Sequence, residues 1–467
     1  MIPLTLAEVV AAAGGVLHDA DPAAMVTGPV VIDSRLAVPG SLFVAIKGEH
    51  ADGHEHAAAA VRSGAIAVLA ARSLGGPTIV ADDPVAGLAR LARAVLDRLG
   101  DVTVVAVTGS SGKTSTKDLL AAVLETAGPT VAAVGSYNNE IGVPLTVLAA
   151  DPATRHLVVE MGARGAGHIS YLCEVAPPRI GVVLNIGTAH AGEFGSREAT
   201  AVAKRELVEA LPSDGVAVLN ADDPLVRAMA TATSVTVLTF GASSAADVRA
   251  QSVEMDDQGR AAFDLLTPSG AHRVQLRLHG LHHVSNALAA AAVARVLRIP
   301  VDDVARALGD ATPRSRWRME VVERADGVTV VNDAYNANPE SVQAALETVA
   351  AMSGGRRSWA VLGEMRELGA ASATEHARVG TLAVRLGLNR VVAVGDGARG
   401  ISDAAKETAV ASTTYLGEEP DFVSDVDEAL ALLRDQVRPG DVVLVKASRA
   451  VGLERVALGL LEAGAPA

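Results

Sequence analysis

The chain of 467 residues carries 40 Lys and Arg against 54 Asp and Glu, a net charge of −14. Its length predicts about two to four domains. Because the net charge is negative, the overall electrostatic field disfavours binding to nucleic acid or to an anionic membrane. Cys173 is the only cysteine, which excludes an internal disulfide and fits a reducing cytoplasm. No apolar run is long enough to cross a bilayer, and Glu8 in an N-terminus without basic residues argues against a signal peptide. We therefore expect a cytoplasmic protein that neither inserts into membranes nor binds nucleic acid.

Val- and Ile-rich strand patterns alternate with Ala- and Leu-rich helical patterns, which predicts an α/β protein with largely parallel sheets. The alternation divides into three blocks, residues 1–100, 101–313 and 314–467, with a polar, Pro-containing boundary at 312–318. The third block is long enough to form a doubly wound domain of its own. In chain order, the predicted elements are strands at 28–32 and 41–46, helix Pro84–Leu99, a strand at 102–107, antiparallel strands across 247–278, a helix at 283–297, a strand at 327–332, a helix at 339–351, and strands at 358–362, Arg390–Val394, 413–416 and Val442–Lys446.

A glycine-rich loop follows the strand at 102–107 and opens an amphipathic helix, which is the context that a phosphate-binding loop requires. Lys113 can neutralise charge on the β- and γ-phosphates, and the Thr114 hydroxyl can ligate Mg²⁺. The spacing departs from G-x-x-x-x-G-K-[ST], because Val107 stands five positions before Gly112. The alternative, an ordinary turn with a chance lysine, is disfavoured by the strand and the helix on either side. The residues predicted to bind a nucleoside triphosphate are Thr108, Gly109, Ser110, Ser111, Gly112, Lys113, Thr114 and Ser115.

This loop and eight further segments, taken in order along the chain, resemble the Mur ligase family and its folylpolyglutamate synthetase relatives. Any one of the segments would be weak, but nine in the family's order are very hard to obtain by chance. The further segments begin at Asn138, Val159, Asn185, Ala203, Gly280, Arg318, Asn332 and Lys446.

The resemblance implies an enzyme that joins a carboxylate to an amine at the expense of ATP, through an acyl phosphate. It also implies an N-terminal α/β domain that binds a UDP-linked substrate, a central domain like that of phosphate-loop ATPases with a mostly parallel sheet, and a C-terminal Rossmann-like, doubly wound domain. Asn286, Arg318 and Asp333 match family positions that contact the nucleotide. An arginine supplied from another domain would stabilise charge on the transferring phosphoryl group.

Glu160 and His190 follow two predicted strands, and the ends of parallel strands are where ligands bind in such sheets. With Thr114 they make a plausible Mg²⁺ shell, although imidazole is an unusual ligand for this ion. By resemblance, Lys204 is carbamylated and completes the metal site; the alternative is a surface lysine paired with Glu206 or Glu209. The resulting catalytic set is Lys113, Glu160, His190, Lys204 and Arg318.

The run Tyr335 to Pro339 is similar to that of family members that add D-alanyl-D-alanine to a UDP-N-acetylmuramoyl tripeptide. Asn side chains both donate and accept hydrogen bonds, which suits a dipeptide backbone; local capping is the alternative for Asn338 taken alone. The Asn-Pro-Arg motif of the lysine- or diaminopimelate-adding relative is missing, and the corresponding region at 363–369 reads GEMRELG. In the last segment, Ala447 replaces the family Gly. The implied substrate contacts are Ser34, Arg35, Lys47, Asn138, Asn139, Tyr335, Asn336, Asn338, Lys446, Ser448 and Arg449.

Three alternatives stay open from the sequence. The runner-up is the relative that adds lysine or diaminopimelate, and the folate relative comes behind it. A nucleotide-binding regulator that has lost catalysis is the third, and the retained Lys113, Glu160, His190 and Lys204 argue against it. We expect a monomer that uses ATP and Mg²⁺.

Overall fold

The computed structural model describes residues 1–48, 51–187 and 196–462. The predicted metal ligand His190 lies outside the described residues. The fold is mixed α/β with mostly parallel sheets, each built from one continuous stretch of chain. In the described part of the chain, no helix combines the length and the apolar character needed to span a membrane.

The first stretch forms a five-stranded sheet in the order β2-β7-β6-β5-β4, beside the small antiparallel pair β1-β3. Its elements are β1 (Leu4–Thr5), α1 (Leu6–Ala13), β2 (Val16–His18), β3 (Met25–Val26), β4 (Val30–Val31), β5 (Leu42–Val44), α2 (Ala57–Arg62), β6 (Ala67–Ala70), β7 (Thr78–Val80) and α3 (Pro84–Leu99). The predicted helix bounds of α3 are confirmed: Asp83 caps the helix by accepting from the backbone N–H groups of Val85 and Ala86, and Pro84 opens it.

The second stretch forms, within the described residues, a nine-stranded sheet in the order β16-β15-β14-β13-β12-β11-β8-β10-β9. Its elements are β8 (Thr103–Thr108), α4 (Lys113–Leu124), β9 (Thr130–Ala132), α5 (Gly142–Leu148), β10 (His156–Glu160), α6 (His168–Val175), β11 (Ile180–Val183), α7 (Arg197–Glu209), β12 (Val216–Asn220), α8 (Pro224–Ala228), β13 (Thr236–Gly241), β14 (Val248–Met255), β15 (Arg260–Thr267), β16 (Gly270–His279), α9 (His282–Val296) and α10 (Val301–Asp310).

Strands β8 to β14 pair in parallel, while β14, β15 and β16 form the predicted antiparallel meander. Apolar side chains cover both faces of this sheet in two separate clusters. Strand β8 is buried because β10 and β11 flank it, as expected for an inner parallel strand. The carboxyl ends of β8, β10 and β11 therefore meet at one edge, where the phosphate loop begins.

The third stretch forms a sheet in the order β17-β18-β22-β19-β20-β21, parallel except for the edge strand β17. This is the predicted doubly wound domain. Its elements are β17 (Glu320–Glu323), β18 (Thr329–Asn332), α11 (Pro339–Ser353), β19 (Ser358–Gly363), α12 (Ser372–Arg385), β20 (Arg390–Val394), α13 (Arg399–Ala411), β21 (Asp421–Val423), α14 (Val426–Gln436), β22 (Val442–Lys446) and α15 (Glu454–Glu462).

The strand predicted at 413–416 is wrong, since the edge strand of this sheet is Asp421–Val423. The Ser412 hydroxyl accepts the backbone N–H groups of Thr414 and Tyr415, which bends the chain. The Tyr415 hydroxyl then donates to the Leu388 carbonyl at 2.9 Å. The segment at 413–416, although rich in β-branched and aromatic residues, therefore forms a turn, because its polar groups form hydrogen bonds to nearby backbone groups.

The segment before β17 connects the second and third sheets and contacts both. Arg314 forms a bidentate ion pair with Glu125, with N···O distances of 2.6 and 2.7 Å. Lys117, buried on α4, donates to the Ser315 hydroxyl at 3.4 Å. These contacts hold the connecting segment against α4, and the cavity described next lies between the two sheets.

Candidate active site

The phosphate loop has the geometry of an anion site at a helix N-terminus. Gly112 lies directly before α4 with φ +80°, and a Cβ atom there would stand 2.7 Å from Asn286 Oδ1. Glycine is therefore required both by the left-handed backbone and by the space. The Lys113 amine folds back to donate to the Gly109 carbonyl at 2.7 Å, so it lies over the loop that would hold the phosphates.

Side-chain hydrogen bonds hold this loop against the neighbouring strands. Asn185, after β11, accepts the backbone N–H of Ser111 at 2.9 Å and donates to its carbonyl at 3.2 Å. The Ser110 hydroxyl accepts the backbone N–H of Gly187 at 2.9 Å. The Thr108 hydroxyl donates to the Met161 carbonyl at 2.9 Å. The loop is therefore preorganised by contacts from β10 and β11, and it needs little rearrangement to receive an anion.

Glu160 and Thr114 meet beside the loop. The Thr114 hydroxyl donates to Glu160 Oε2 at 2.9 Å, and Asn138 Nδ2 donates to Oε1 at 2.7 Å. Glu160 is 1% exposed, so its charge is shielded from water. A hydroxyl and a carboxylate oxygen this close form a donor set suited to Mg²⁺ that also binds phosphate oxygens. Among the described residues, no group of three or more His, Cys, Asp or Glu side chains is placed to hold a metal.

Lys204 lies on α7 and is fully buried, with 1% of its surface exposed. Burial, together with the nearby charge of Lys113, holds the pKa of its amine well below the usual value for lysine. Glu206 accepts the backbone N–H groups of Gly167 and Ser170, and Glu209 pairs with Arg205 at 2.7 Å. The alternative of a surface lysine paired with one of these glutamates is therefore wrong.

Arg318 reaches the phosphate loop from the segment before β17. Its NH2 group donates to the hydroxyls of Thr114 at 3.1 Å and Ser136 at 2.8 Å, and its guanidinium stacks 4.3 Å from the centre of the Tyr335 ring. Asn286, on α9, is buried and accepts from the Thr116 hydroxyl at 3.2 Å. The structure thus brings both residues to the loop region, across sequence separations of 170 positions for Asn286 and 204 for Arg318.

Polar residues at the edge of the third sheet mostly contact each other. Lys446 donates to Asp333 Oδ2 at 2.5 Å and to the Asn336 carbonyl at 2.9 Å, with its amine buried. Asp333 also accepts the backbone N–H of Met319 at 3.0 Å. Asn338 caps α11 by accepting the N–H of Ser341 at 2.8 Å. Local capping, the alternative for Asn338, is therefore what the structure shows for its side-chain oxygen.

The last predicted segment supports the site from behind. Ser448 accepts the backbone N–H of Arg366 at 2.9 Å, while Arg449 pairs with Glu454 at 2.5 Å and stacks 4.2 Å from the centre of a Trp317 ring. Ala447 is absent from the residues with positive φ, so the turn accepts an Ala where the family carries Gly. Neither Ser448 nor Arg449 lines the cavity.

A cavity of about 500 Å³ lies between the second and third sheets and collects most of the predicted residues. The predicted residues that line it are Ser110, Ser111, Gly112, Lys113, Thr114, Ser115, Asn138, Asn139, Glu160, Asn286, Arg318, Asp333, Tyr335, Asn336, Asn338 and Lys446. Thr108, Gly109 and Lys204 do not line it.

Sequence reasoning missed several residues of this wall. They are Ser136, Arg164, His168, His282, His283, Arg366 and Glu367. The signal for Arg164 and His168 was present, since both closely follow Glu160 at the end of a buried strand. His282 and His283 stand in the segment that was matched for Asn286, and Arg366 and Glu367 stand in the region at 363–369.

The three residues predicted to bind the UDP moiety lie apart from this cavity, in the first stretch. Arg35 is exposed and pairs with Asp33 at 2.6 Å, and its hydrogen bonds lower the pKa of that carboxyl to about 2. Lys47 is exposed, and Ser34 is half-buried in the turn after β4. The structure does not bring these side chains to the phosphate loop.

A phosphate loop at the edge of a mainly parallel sheet, facing a second α/β sheet across a cavity lined with lysine, arginine and carboxylates, defines a nucleotide-using enzyme of the phosphate-loop type. The chain belongs to the Mur ligase family. Three domains of that family match it: the Mur ligase family catalytic domain over residues 29–97, the Mur ligase middle domain over 107–294, and the Mur ligase glutamate ligase domain over 317–449.

Full-length relatives carry a more specific name. The chain is 48% identical to UDP-N-acetylmuramoyl-tripeptide--D-alanyl-D-alanine ligase of Mycobacterium leprae, over 100% of this chain and 99% of the relative. It is similar to the crystal structure of MurF from Acinetobacter baumannii, with a TM-score of 0.85, 31% identity, and 98% and 99% of the two chains covered. It also resembles MurF ligase of Thermotoga maritima in complex with ADP, with a TM-score of 0.78, 31% identity, and 94% and 98% covered.

Proposed function

We propose that the protein joins D-alanyl-D-alanine to UDP-N-acetylmuramoyl tripeptide, with ATP converted to ADP and phosphate, in peptidoglycan precursor synthesis. One observation carries the proposal. A single cavity holds the phosphate loop with Lys113 on one wall and the Tyr335-Asn336 turn on the other. Activation of a carboxylate by ATP and its capture by an amine can therefore occur in one space. The full-length relatives named above support the choice of substrates.

ATP binds with its phosphates on the Thr108 to Ser115 loop. Lys113 lies over this loop and neutralises charge on the β- and γ-phosphates. The Arg318 guanidinium donates a hydrogen bond to the Thr114 hydroxyl. A small shift of this guanidinium would therefore bring it into contact with the transferring phosphoryl group. Asn286 and Asp333 contact the rest of the nucleotide. The ADP complex of a structural relative supports binding of this nucleotide.

The terminal carboxylate of the tripeptide attacks the γ-phosphorus, and ADP leaves. The product is an acyl phosphate, whose carbonyl carbon the dipeptide amine attacks; phosphate then departs and the amide bond remains. Closure of the domains on substrate binding would exclude water from this labile species. Positioning and charge neutralisation supply most of the rate enhancement.

Thr114, Glu160, His190 and a carbamylated Lys204 would hold Mg²⁺, which would neutralise phosphate charge. The hydroxyl–carboxylate contact of Thr114 and Glu160 fits this role. Burial favours carbamylation of Lys204, because the lowered pKa leaves more of the amine neutral and only a neutral amine attacks CO₂. The carbamate is an anion and removes the repulsion between Lys204 and Lys113.

We assign three domains: residues 1–100 bind the UDP-muramoyl peptide, with Ser34, Arg35 and Lys47 holding the diphosphate; residues 101–313 bind ATP; and residues 314–467 bind the dipeptide. Asn138, Asn139, Tyr335, Asn336 and Lys446, which line the cavity, complete the proposed substrate set. Asn338, Ser448 and Arg449 instead shape the loops around the cavity. The enzyme acts as a monomer in the cytoplasm. There it supplies the peptidoglycan precursor for cell wall growth and cell division.

Phosphate release from ATP and Mg²⁺ tests this function with UDP-muramoyl tripeptide, with and without D-alanyl-D-alanine. We expect release that depends on the dipeptide and a UDP-pentapeptide product by mass spectrometry. Release only with UDP-muramoyl dipeptide and lysine or diaminopimelate would move the assignment to that ligase. Absence of turnover with both pairs would support a non-catalytic nucleotide-binding protein.

A further inference from the structure

The loop after β19 presents two charged side chains to the cavity that no step above uses. Arg366 and Glu367 both line the cavity, on the wall formed by the third sheet. They are exposed, whereas Met365 and Leu368 on either side of them are buried at 1% and 2% exposure. The loop therefore anchors its apolar residues in the core and turns its charged pair toward the substrates.

Backbone contacts hold this loop rigid. The N–H of Met365 donates to Nε2 of the buried His376 at 2.9 Å, and the N–H of Arg366 donates to the Ser448 hydroxyl at 2.9 Å. The N–H of Ser448 in turn donates to the Glu364 carbonyl at 3.0 Å. Ser448 is thus a positioning residue: it acts through the loop and does not touch the cavity.

Glu367 adopts a left-handed backbone with φ +66°, an uncommon conformation for a residue with a side chain. Such a conformation persists only where the surroundings enforce it, and here the two buried neighbours and the contacts to His376 and Ser448 do so. The Glu367 side chain lines the same cavity as Lys113 and the phosphate loop.

We infer that Glu367 binds the amino group of the incoming dipeptide and Arg366 binds its terminal carboxylate. This inference rests on the proposed function. The amine must come within about 3 Å of the acyl carbon. One oxygen atom joins that carbon to the phosphorus of the phosphate group whose charge Lys113 neutralises. Glu367 lines the same cavity as Lys113, so its carboxylate can hold an amino group near that point.

The carboxylate end of the dipeptide fits Arg366. Among the described residues, its guanidinium makes one hydrogen bond, from Nε to Glu364 at 3.1 Å. The two terminal nitrogens can therefore bind a carboxylate as a fork. An extended dipeptide spans at most about 7 Å, a length that the charged ends of two neighbouring long side chains can bracket. The zwitterion of free D-alanyl-D-alanine carries a positive end that complements Glu367 and a negative end that complements Arg366.

The test is steady-state kinetics of the full-length enzyme with each of the three substrates varied in turn. For Glu367→Gln we expect the KM for D-alanyl-D-alanine to rise about tenfold, as for loss of a charged hydrogen bond, with the KM values for ATP and the UDP-tripeptide within twofold. Glu367→Asp should recover part of the loss. Glu419→Gln, at an 84% exposed side chain in the loop before β21 of the same domain, is the matched control and should leave all three KM values unchanged.

The carboxylate contact is tested with D-alanyl-D-alaninamide, which lacks that charge. We expect wild type to show an about fivefold higher KM for the amide, and Arg366→Met to show that same KM with both ligands. Arg306→Met, at a 66% exposed arginine, serves as its control. An equal preference for the carboxylate in Arg366→Met and wild type would overturn the inference, as would a rise confined to the KM for ATP. If wild type itself shows no dipeptide-dependent turnover, the proposed function fails instead.

Discussion

The carboxyl edges of the nine-stranded and the six-stranded sheet face each other across one cavity but use their polar residues differently. At the first edge, Thr114 and Glu160 contact each other beside the phosphate loop, and Lys113 lies over it. At the second edge, Lys446 and Asp333 form a buried ion pair, and Asn338 caps a helix. The polar side chains of the first edge are therefore placed to contact ligands, while most of those at the second edge bond to its own loops.

A motif residue at a strand end is therefore not always a residue that contacts a ligand. In the six-stranded sheet the polar groups of the matched segments shape the loops, and Arg366 and Glu367 project from one of those loops into the cavity. Substitutions at the first edge should therefore change turnover with little change in stability. Substitutions at the second edge should change the free energy of unfolding first.

The largest effect is expected for Lys113→Met, on the first edge. Loss of the charge over the phosphate loop should lower kcat by about a thousandfold, as for removal of a preorganised oxyanion donor. The free energy of unfolding should stay within about 1 kcal/mol, since the amine bonds only one carbonyl in the loop. Phosphate release and urea unfolding measure both quantities. A stability loss of several kcal/mol would remove the contrast between the edges.

The counterpart on the second edge is Lys446→Met, which leaves Asp333 charged and buried. We expect a loss of about 3 kcal/mol in the free energy of unfolding, as when one partner of a buried ion pair is removed. Lys406→Met removes a half-exposed lysine in the same domain and should cost less than about 0.5 kcal/mol. Urea unfolding of the two variants is the measurement; equal stabilities would show that the Lys446–Asp333 pair has no structural role.

Lys204→Arg tests the first edge again and should lower kcat about a hundredfold, because a guanidinium cannot form a carbamate. The pKa of Lys204 is lowered, so the neutral amine that reacts with CO₂ is present above that pKa and is lost as the pH falls through it. Wild type should therefore lose activity reversibly on acidification, and ¹³CO₂ should give a carbamate signal by NMR that disappears with it. A fully active arginine variant would rule out the carbamate.

The smallest effect is expected for Asn338→Ala, which removes the cap of α11. Its cost should be about 1 kcal/mol in the free energy of unfolding, and Asn338→Asp should retain most of the stability. Gln343→Ala, at a surface position of the same helix, should stay within about 0.5 kcal/mol of wild type. If Asn338→Ala instead raised the KM for the dipeptide and kept full stability, its role would be substrate binding, as the sequence first suggested.

Secondary structure was predictable wherever the hydrophobic period was strong. The strands around the phosphate loop and helix Pro84–Leu99 follow from buried apolar runs and from an Asp-Pro start. The strand predicted at 413–416 failed because Ser412 and Tyr415 bond locally, which periodicity does not register. Local hydrogen bonding overrode propensity there.

The α/β class, the phosphate loop with Lys113 and the family could all be predicted from the sequence, because short-range spacing encodes a turn between a strand and a helix. The contact of Arg318 with Thr114, the burial of Lys204, and the cavity that Arg366 and Glu367 share with Lys113 all depend on tertiary structure. Those juxtapositions join residues far apart in the chain, and they depend on how two sheets dock. Docking is set by the summed packing of many weak contacts, which no local pattern of residues records.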